Sequence, residues 1–141
     1  MTGSIEQGTS RTRGSSHILQ FLVRLPRSMG DVWPALATPA GLAGWLTAAD
    51  PFEPRLGGHV ALRDLGRGRI TAWDVDRVVE YTLEDGGRIR FHLEREGEDR
   101  SVLRFTTEFQ DDEESEPRWR ARFERLIEIL ESARDSAGHP R

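Results

Sequence analysis

The stretch that decides the fold is residues 78–109, VVEYTLEDGGRIRFHLEREGEDRSVLRFTTEF. In it Val79, Tyr81, Leu83, Ile89, Phe91, Leu93, Leu103, Phe105 and Phe109 recur at every second position, while Glu80, Thr82, Arg90, His92, Glu94, Arg104, Thr106 and Glu108 fill the alternate ones. Period-two alternation places the first set on one face of a sheet and the second in water. Asp85 to Gly87 and Glu96 to Asp99 supply turns, so Val78–Glu84, Ile89–Glu94 and Ser101–Phe109 read as three strands of an antiparallel meander. The pattern extends backwards through Val60–Asp64 and Arg69–Asp74, separated by the glycine-bearing turn at Gly66 to Gly68. Val60, Leu62 and Trp73 join the apolar face and Arg63 the wet one.

An apolar sheet face must be covered. From about Ser115 to Arg134, Trp119, Phe123, Leu126, Ile127 and Leu130 follow at spacings of four, three, one and three, the stripe of an amphipathic helix. The acidic run Asp111 to Glu114 precedes it, where negative charge suits the helix dipole. Upstream, His17 to Leu25 alternates as a strand. Ser28 caps a short helix in which Pro34 fits only in the first turn. Thr38 caps a second, with Pro39 at its first position and Leu42, Trp45 and Leu46 at helical spacing. The expected class is α+β: a curved antiparallel sheet wrapped around a long C-terminal helix, with two short helices after the first strand.

Residues 1–16 hold Gly, Ser and Thr in quantity, with Ile5 the one large apolar residue after Met1, and read as a disordered leader; the domain is expected over 17–134 and a flexible tail over 135–141. Composition excludes much. The chain has 141 residues, 31% charged, a mean hydropathy of −0.59 and no apolar run of membrane-spanning length, so no membrane partner is expected. It has no cysteine, which removes thiol nucleophiles, disulfides and sulfur-ligated metals; a reducing, cytoplasmic setting fits. All 20 basic residues are arginine, which rules out Schiff-base lysines and the lysine-bearing phosphate loop. A net charge of −4 argues against nucleic acid.

No catalytic motif stands out. His17, His59, His92 and His139 show no ligand spacing, no GxSxG turn exists, and neither a metal nor a cofactor is expected. More informative are polar residues that parity places on the apolar face: Asp64, Arg69, Thr71, Tyr81, Thr107 and Arg95. In a filled core they must satisfy one another, as Asp64 and Arg69 could across their turn. In a hollow one, Arg69, Thr71, Tyr81 and Thr107 would orient an amphipathic ligand against Trp45, Trp73, Phe91 and Trp119. A strand bulge would reverse these assignments. The Arg118, Arg120, Arg122, Arg125 series reads as a solvated helix surface rather than one patch.

The order strand, two short helices, meander, long helix resembles the helix-grip (START-like, SRPBCC) superfamily, and within it bacterial relatives of the activator of heat-shock-protein-90 ATPase. The likeness is carried by Asp31-Val32-Trp33-Pro34-Ala35-Leu36-Ala37-Thr38-Pro39 with Leu42 and Trp45-Leu46, Phe52 with Gly57-Gly58, and Gly68 with Ile70 and Thr71. Val79-Glu80-Tyr81-Thr82 and Trp119 with Phe123 and Leu126 complete it. The resemblance implies a small-molecule binding protein with a cavity between sheet and C-terminal helix. It also implies two alternatives: a module that binds a chaperone partner, and a cyclase- or aromatase-like enzyme.

Overall fold

The computed structural model describes residues 3–6, 8–110 and 116–137. Its strands are β1 (Ser4–Glu6), β2 (Ser10–Arg13), β3 (Ser16–Leu25), β4 (Ala49–Phe52), β5 (His59–Leu62), β6 (Gly66–Asp74), β7 (Val78–Leu83), β8 (Arg88–Arg95) and β9 (Ser101–Phe109). The helices are α1 (Met29–Ala37), α2 (Pro39–Trp45) and α3 (Glu116–Ala137). All nine strands form one antiparallel sheet in the order β1-β3-β9-β8-β7-β6-β5-β4, with β2 also paired to β3. The alternation of β7, β8 and β9 is realised residue for residue: Val79, Tyr81, Leu83, Ile89, Phe91, Leu93, Leu103, Phe105 and Phe109 are all buried. Among the described residues no helix is long and apolar enough to cross a membrane.

Three local expectations are corrected. The first concerns residues 1–16, read as a disordered leader: β1 and β2 lie within them and pair with the otherwise open edge of β3. Ladder hydrogen bonds require no apolar side chain, which is why composition did not show them. Gly8 carries the chain between the two strands so close to β3 that an added Cβ would lie 1.2 Å from the Gln20 carbonyl oxygen. At the other end α3 runs to Ala137, past the start of the expected tail, whose remaining residues 138–141 lie outside the described residues. The second concerns Pro34, which sits inside α1 rather than in its first turn and so removes one internal helix bond. Val32, Trp33 and Leu36, all buried on the same helix, outweigh that loss.

The third correction moves the register of β6. Ile70 pairs with Tyr81 but Ala72 pairs with Glu80, so Thr71 is an extra residue on its strand, a bulge. Ile70 is therefore buried, Trp73 half-buried, and Arg69 and Thr71 face outward.

The two helix caps act as the sequence indicates. Ser28 Oγ accepts the Asp31 N–H at 3.3 Å, and Thr38 Oγ1 accepts the Gly41 N–H at 3.0 Å while donating back to the Pro34 carbonyl at 2.7 Å. Thr38 thus ties the end of α1 to the start of α2 and sets the angle at which α2 delivers Leu42 and Trp45 to the core. Between sheet and α3 the filling is aromatic. Phe105 lies 4.6 Å from Trp119 and 4.8 Å from Phe123, centroid to centroid, and Trp45 lies 5.6 Å from Phe123 and 5.7 Å from Phe91. These separations fall within the favourable range for offset and edge-to-face ring pairs.

Candidate functional site

The eight residues nominated for a ligand pocket separate into two groups. Tyr81, Phe91, Trp45, Thr107 and Trp119 are buried on the inner face; Trp73 is half-buried at its far end, edge-on to Trp33 at 5.3 Å. Arg69 and Thr71 do not belong with them. Arg69 reaches the Gly57 carbonyl at 3.3 Å, and the Thr71 hydroxyl meets Glu80 Oε1 at 2.8 Å and Thr82 Oγ1 at 2.7 Å, all on the outer face. The bulge at Thr71 is the physical reason. Asp64 likewise does not pair with Arg69: its carboxylate accepts from the Thr47 hydroxyl at 3.1 Å, and its own N–H donates to the Thr47 oxygen at 3.2 Å. Arg95 is exposed and donates to the Gly97 carbonyl.

Most polar groups of the inner set are already committed to backbone. The Tyr81 hydroxyl donates to the Leu36 carbonyl at 2.6 Å, Trp45 Nε1 to the Ala35 carbonyl at 2.8 Å, and the Thr107 hydroxyl to the Arg88 carbonyl at 2.9 Å. Burial pushes the Tyr81 phenol well above the ordinary tyrosine range, because its anion would have no water around it. Trp119 differs. Its indole N–H is buried with no acceptor among the described residues.

An open cleft lies at the rim of this core. A cleft of about 780 Å³ runs between the first half of α3, the end of α2 and the turn after β5. Arg118, Ala121, Arg122 and Arg125 line it from α3, Trp45 from α2 and Asp64 from the turn. The arginines follow at spacings of four and three, so one helix face carries all three. Ala121 between them keeps the floor low. The Arg122 guanidinium lies over the Trp119 ring at 4.4 Å from its centroid, a cation–π contact, and Arg125 pairs with Glu128 at 3.4 Å. Arg120 faces elsewhere, bound to Glu116 at 3.0 Å and stacked over Phe21. The Thr47–Asp64 bonds pin the opposite wall. Among the described residues, three guanidinium groups and one carboxylate line the cleft.

Several solved structures share this architecture. That of EF2215 from Enterococcus faecalis, a conserved protein of unknown function, superposes with a TM-score of 0.72 at 16% identity over 87% of this chain and 76% of its own. The crystal structure of CalU16 from Micromonospora echinospora gives 0.70 at 18% identity, over 91% and 82%. The Aha1 dimer from Colwellia psychrerythraea gives 0.61 at 20% identity, over 80% and 95%. The chain has the helix-grip fold. No protein-family model and no curated protein matches its sequence. At these identities the likeness is one of fold, and function has to be argued from the site.

The rim cleft escaped sequence reasoning, although a signal for it was present. Grouped with Arg120, the residues Arg118, Arg122 and Arg125 spread around the helix; without it they keep a four–three spacing around Ala121, which is one face.

Proposed function

We propose that this helix-grip protein binds a small amphipathic anion in the cleft between α3, α2 and the β5–β6 turn. One observation carries the reading: an open volume of about 780 Å³ is bordered by three arginines on one helix face and by the edge of the aromatic core at Trp45. Arginine forks recognise carboxylates and phosphates bidentately, and the aromatic edge offers an apolar seat for the rest of such a molecule. The ligand thus sits at the mouth of the sheet–helix interface rather than deep within it. The interior is packed with rings, and the hydroxyls of Tyr81 and Thr107 are bonded to backbone carbonyls. Among the described residues of the lining, Asp64 is the one carboxylate and there is no histidine, so this geometry gives more support to binding than to acid–base catalysis.

The test is a thermal-shift screen of aromatic and aliphatic carboxylates and of phosphate esters. A ligand at a hundred times its Kd adds about 2.7 kcal/mol, a rise on the order of 10 °C for a domain of this size. Arg122→Ala and a cleft-filling Ala121→Trp should each abolish the rise. A ligand whose stabilisation survives both substitutions in folded protein places binding elsewhere and refutes the proposal.

A further inference from the structure

On the opposite side of the sheet, facing away from the helices, a second hollow of about 350 Å³ opens across β3, β9 and β8. The connection between β1 and β2 walls it at Thr9, whose hydroxyl donates to Gln20 Oε1 at 2.8 Å and whose carbonyl accepts the Gln20 N–H at 2.8 Å. Its polar lining is Thr9, Gln20, Arg90, His92, Arg104 and Thr106, without a carboxylate.

The register explains why this combination is unusual. Arg104 stands directly opposite His92, and Arg90 stands opposite Thr106, which in turn faces Gln20 on β3. Directly opposed side chains on one face lie about 5 Å apart at Cβ. Two arginines and an imidazole are gathered here on adjacent strands with hydroxyl and amide donors between them. The carboxylates that counter the arginines stand outside the hollow: Glu80 pairs with Arg90 at 3.5 Å, and Glu94 pairs with Arg104. Each pair engages a single nitrogen, Nη1 of Arg90 and Nε of Arg104, whereas a guanidinium carries five N–H donors. The ion pairs therefore hold both forks in place and leave them donor capacity, which reduces the entropy lost when an anion arrives.

We propose that this outer hollow is a second binding site, for the phosphate group of a small molecule or for free phosphate. A tetrahedral dianion placed there would accept from Arg90 and Arg104 and from the neutral donors Thr106 and Gln20. The site is independent of the α3 cleft, which lies on the other face of the sheet.

The experiment is an amide-resolved NMR titration of the full chain with sodium phosphate and, separately, with glycerol phosphate at constant ionic strength, using chloride and acetate as comparators. Saturable shifts at Gln20, Arg90 and Thr106 with both phosphates are expected. Glycerol phosphate binding tenfold tighter would assign the site to esters; equal or tighter binding of the inorganic ion would assign it to phosphate itself. Arg90→Gln with Arg104→Gln should weaken binding at least tenfold, and Thr106→Val, which keeps the β-branched shape, about threefold. Arg77→Gln removes the same charge from a turn outside the hollow and should leave affinity unchanged. Shifts that do not saturate, equal shifts with chloride or acetate, full affinity in the folded double variant, or an equal loss in Arg77→Gln would each overturn the assignment.

Discussion

Tyr81→Phe isolates one hydroxyl whose role separates a filled core from a ligand pocket. The phenol donates at 2.6 Å to the carbonyl of Leu36, in the last turn of α1, where helix carbonyls lack an intrahelical amide. Both residues are buried. Removing the hydroxyl leaves that carbonyl without its donor in an apolar setting, which costs about 1–3 kcal/mol. For a domain of this size the melting temperature should fall on the order of 4 °C per kcal/mol, a drop of roughly 4–12 °C. Urea unfolding should show a lower midpoint at unchanged slope, since the folded surface is the same. A ligand that stabilises the parent protein should stabilise the variant by the same increment, because the hydroxyl is bonded to backbone. A variant as stable as the parent, or one of parental stability that loses its ligand response, would refute this reasoning.

The same side chain gives a pH signature that can be read directly, because Tyr81 is the one tyrosine in the chain. Burial raises its pKa in the folded state. Unfolded, it ionises near pH 10, as any exposed phenol does. Above that pH the unfolded chain has released a proton that the folded chain keeps, so the stability contribution is complete below about pH 10 and is lost as pH rises. The slope approaches about 1.4 kcal/mol per pH unit. Tyrosinate absorbance should then appear together with loss of far-ultraviolet circular dichroism. Tyrosinate appearing near pH 10 in a chain that remains folded would show that the phenol reaches water.

Arg69→Ala and Thr71→Ala, both on the outer face, should each change stability by no more than about 0.5 kcal/mol and leave any thermal shift by a cleft ligand intact; calorimetry with and without ligand checks both. Thr38→Ala removes the cap of α2 and the tie to Pro34 together and should cost about 1–2 kcal/mol, measured as a urea midpoint shift. Phe105→Ala opens the ring cluster between Trp119, Phe123, Phe91 and Phe21 and should cost about 3–5 kcal/mol, with a change in tryptophan emission.

The strands from Val78 to Phe109 were legible because each repeats one hydrophobic period without interruption and shows the core only one face. β6 was not, and the reason lies in one residue. Regular parity from Trp73 puts Thr71 and Arg69 inside and Ile70 in water, which buries a cation while exposing an isoleucine. The bulge at Thr71 removes both penalties by letting Ile70 and Trp73, three positions apart, turn to the same side. Two large apolar residues at odd spacing in one strand were the signal for it. β1 and β2 offered no such signal. They are held largely by backbone pairing to β3, with only Ile5 reaching the core and Glu6 pairing with Arg24, too little to show as a pattern, and Pro51 hid β4 by breaking the texture of a strand at the sheet edge.

The packing of the interior bears on where a helix-grip protein of this sequence can hold a molecule. Phe21, Trp45, Phe91, Phe105, Trp119 and Phe123 meet as one continuous set of rings, and emptying that space for a ligand would forfeit contacts each worth about 0.5–1.5 kcal/mol beyond the area they bury. A ligand seated there would have to recover that sum and replace the Tyr81 and Trp45 hydrogen bonds that tie α1 and α2 to the sheet and to each other. At the rim the balance reverses. There the walls are set by Asp64 and Thr47 on one side and the helix on the other, and the Arg118 and Arg125 side chains stand exposed on the helix surface. In the binding mode proposed above, the aromatic core is the rigid wall of the cleft and the arginine face of α3 supplies its chemistry.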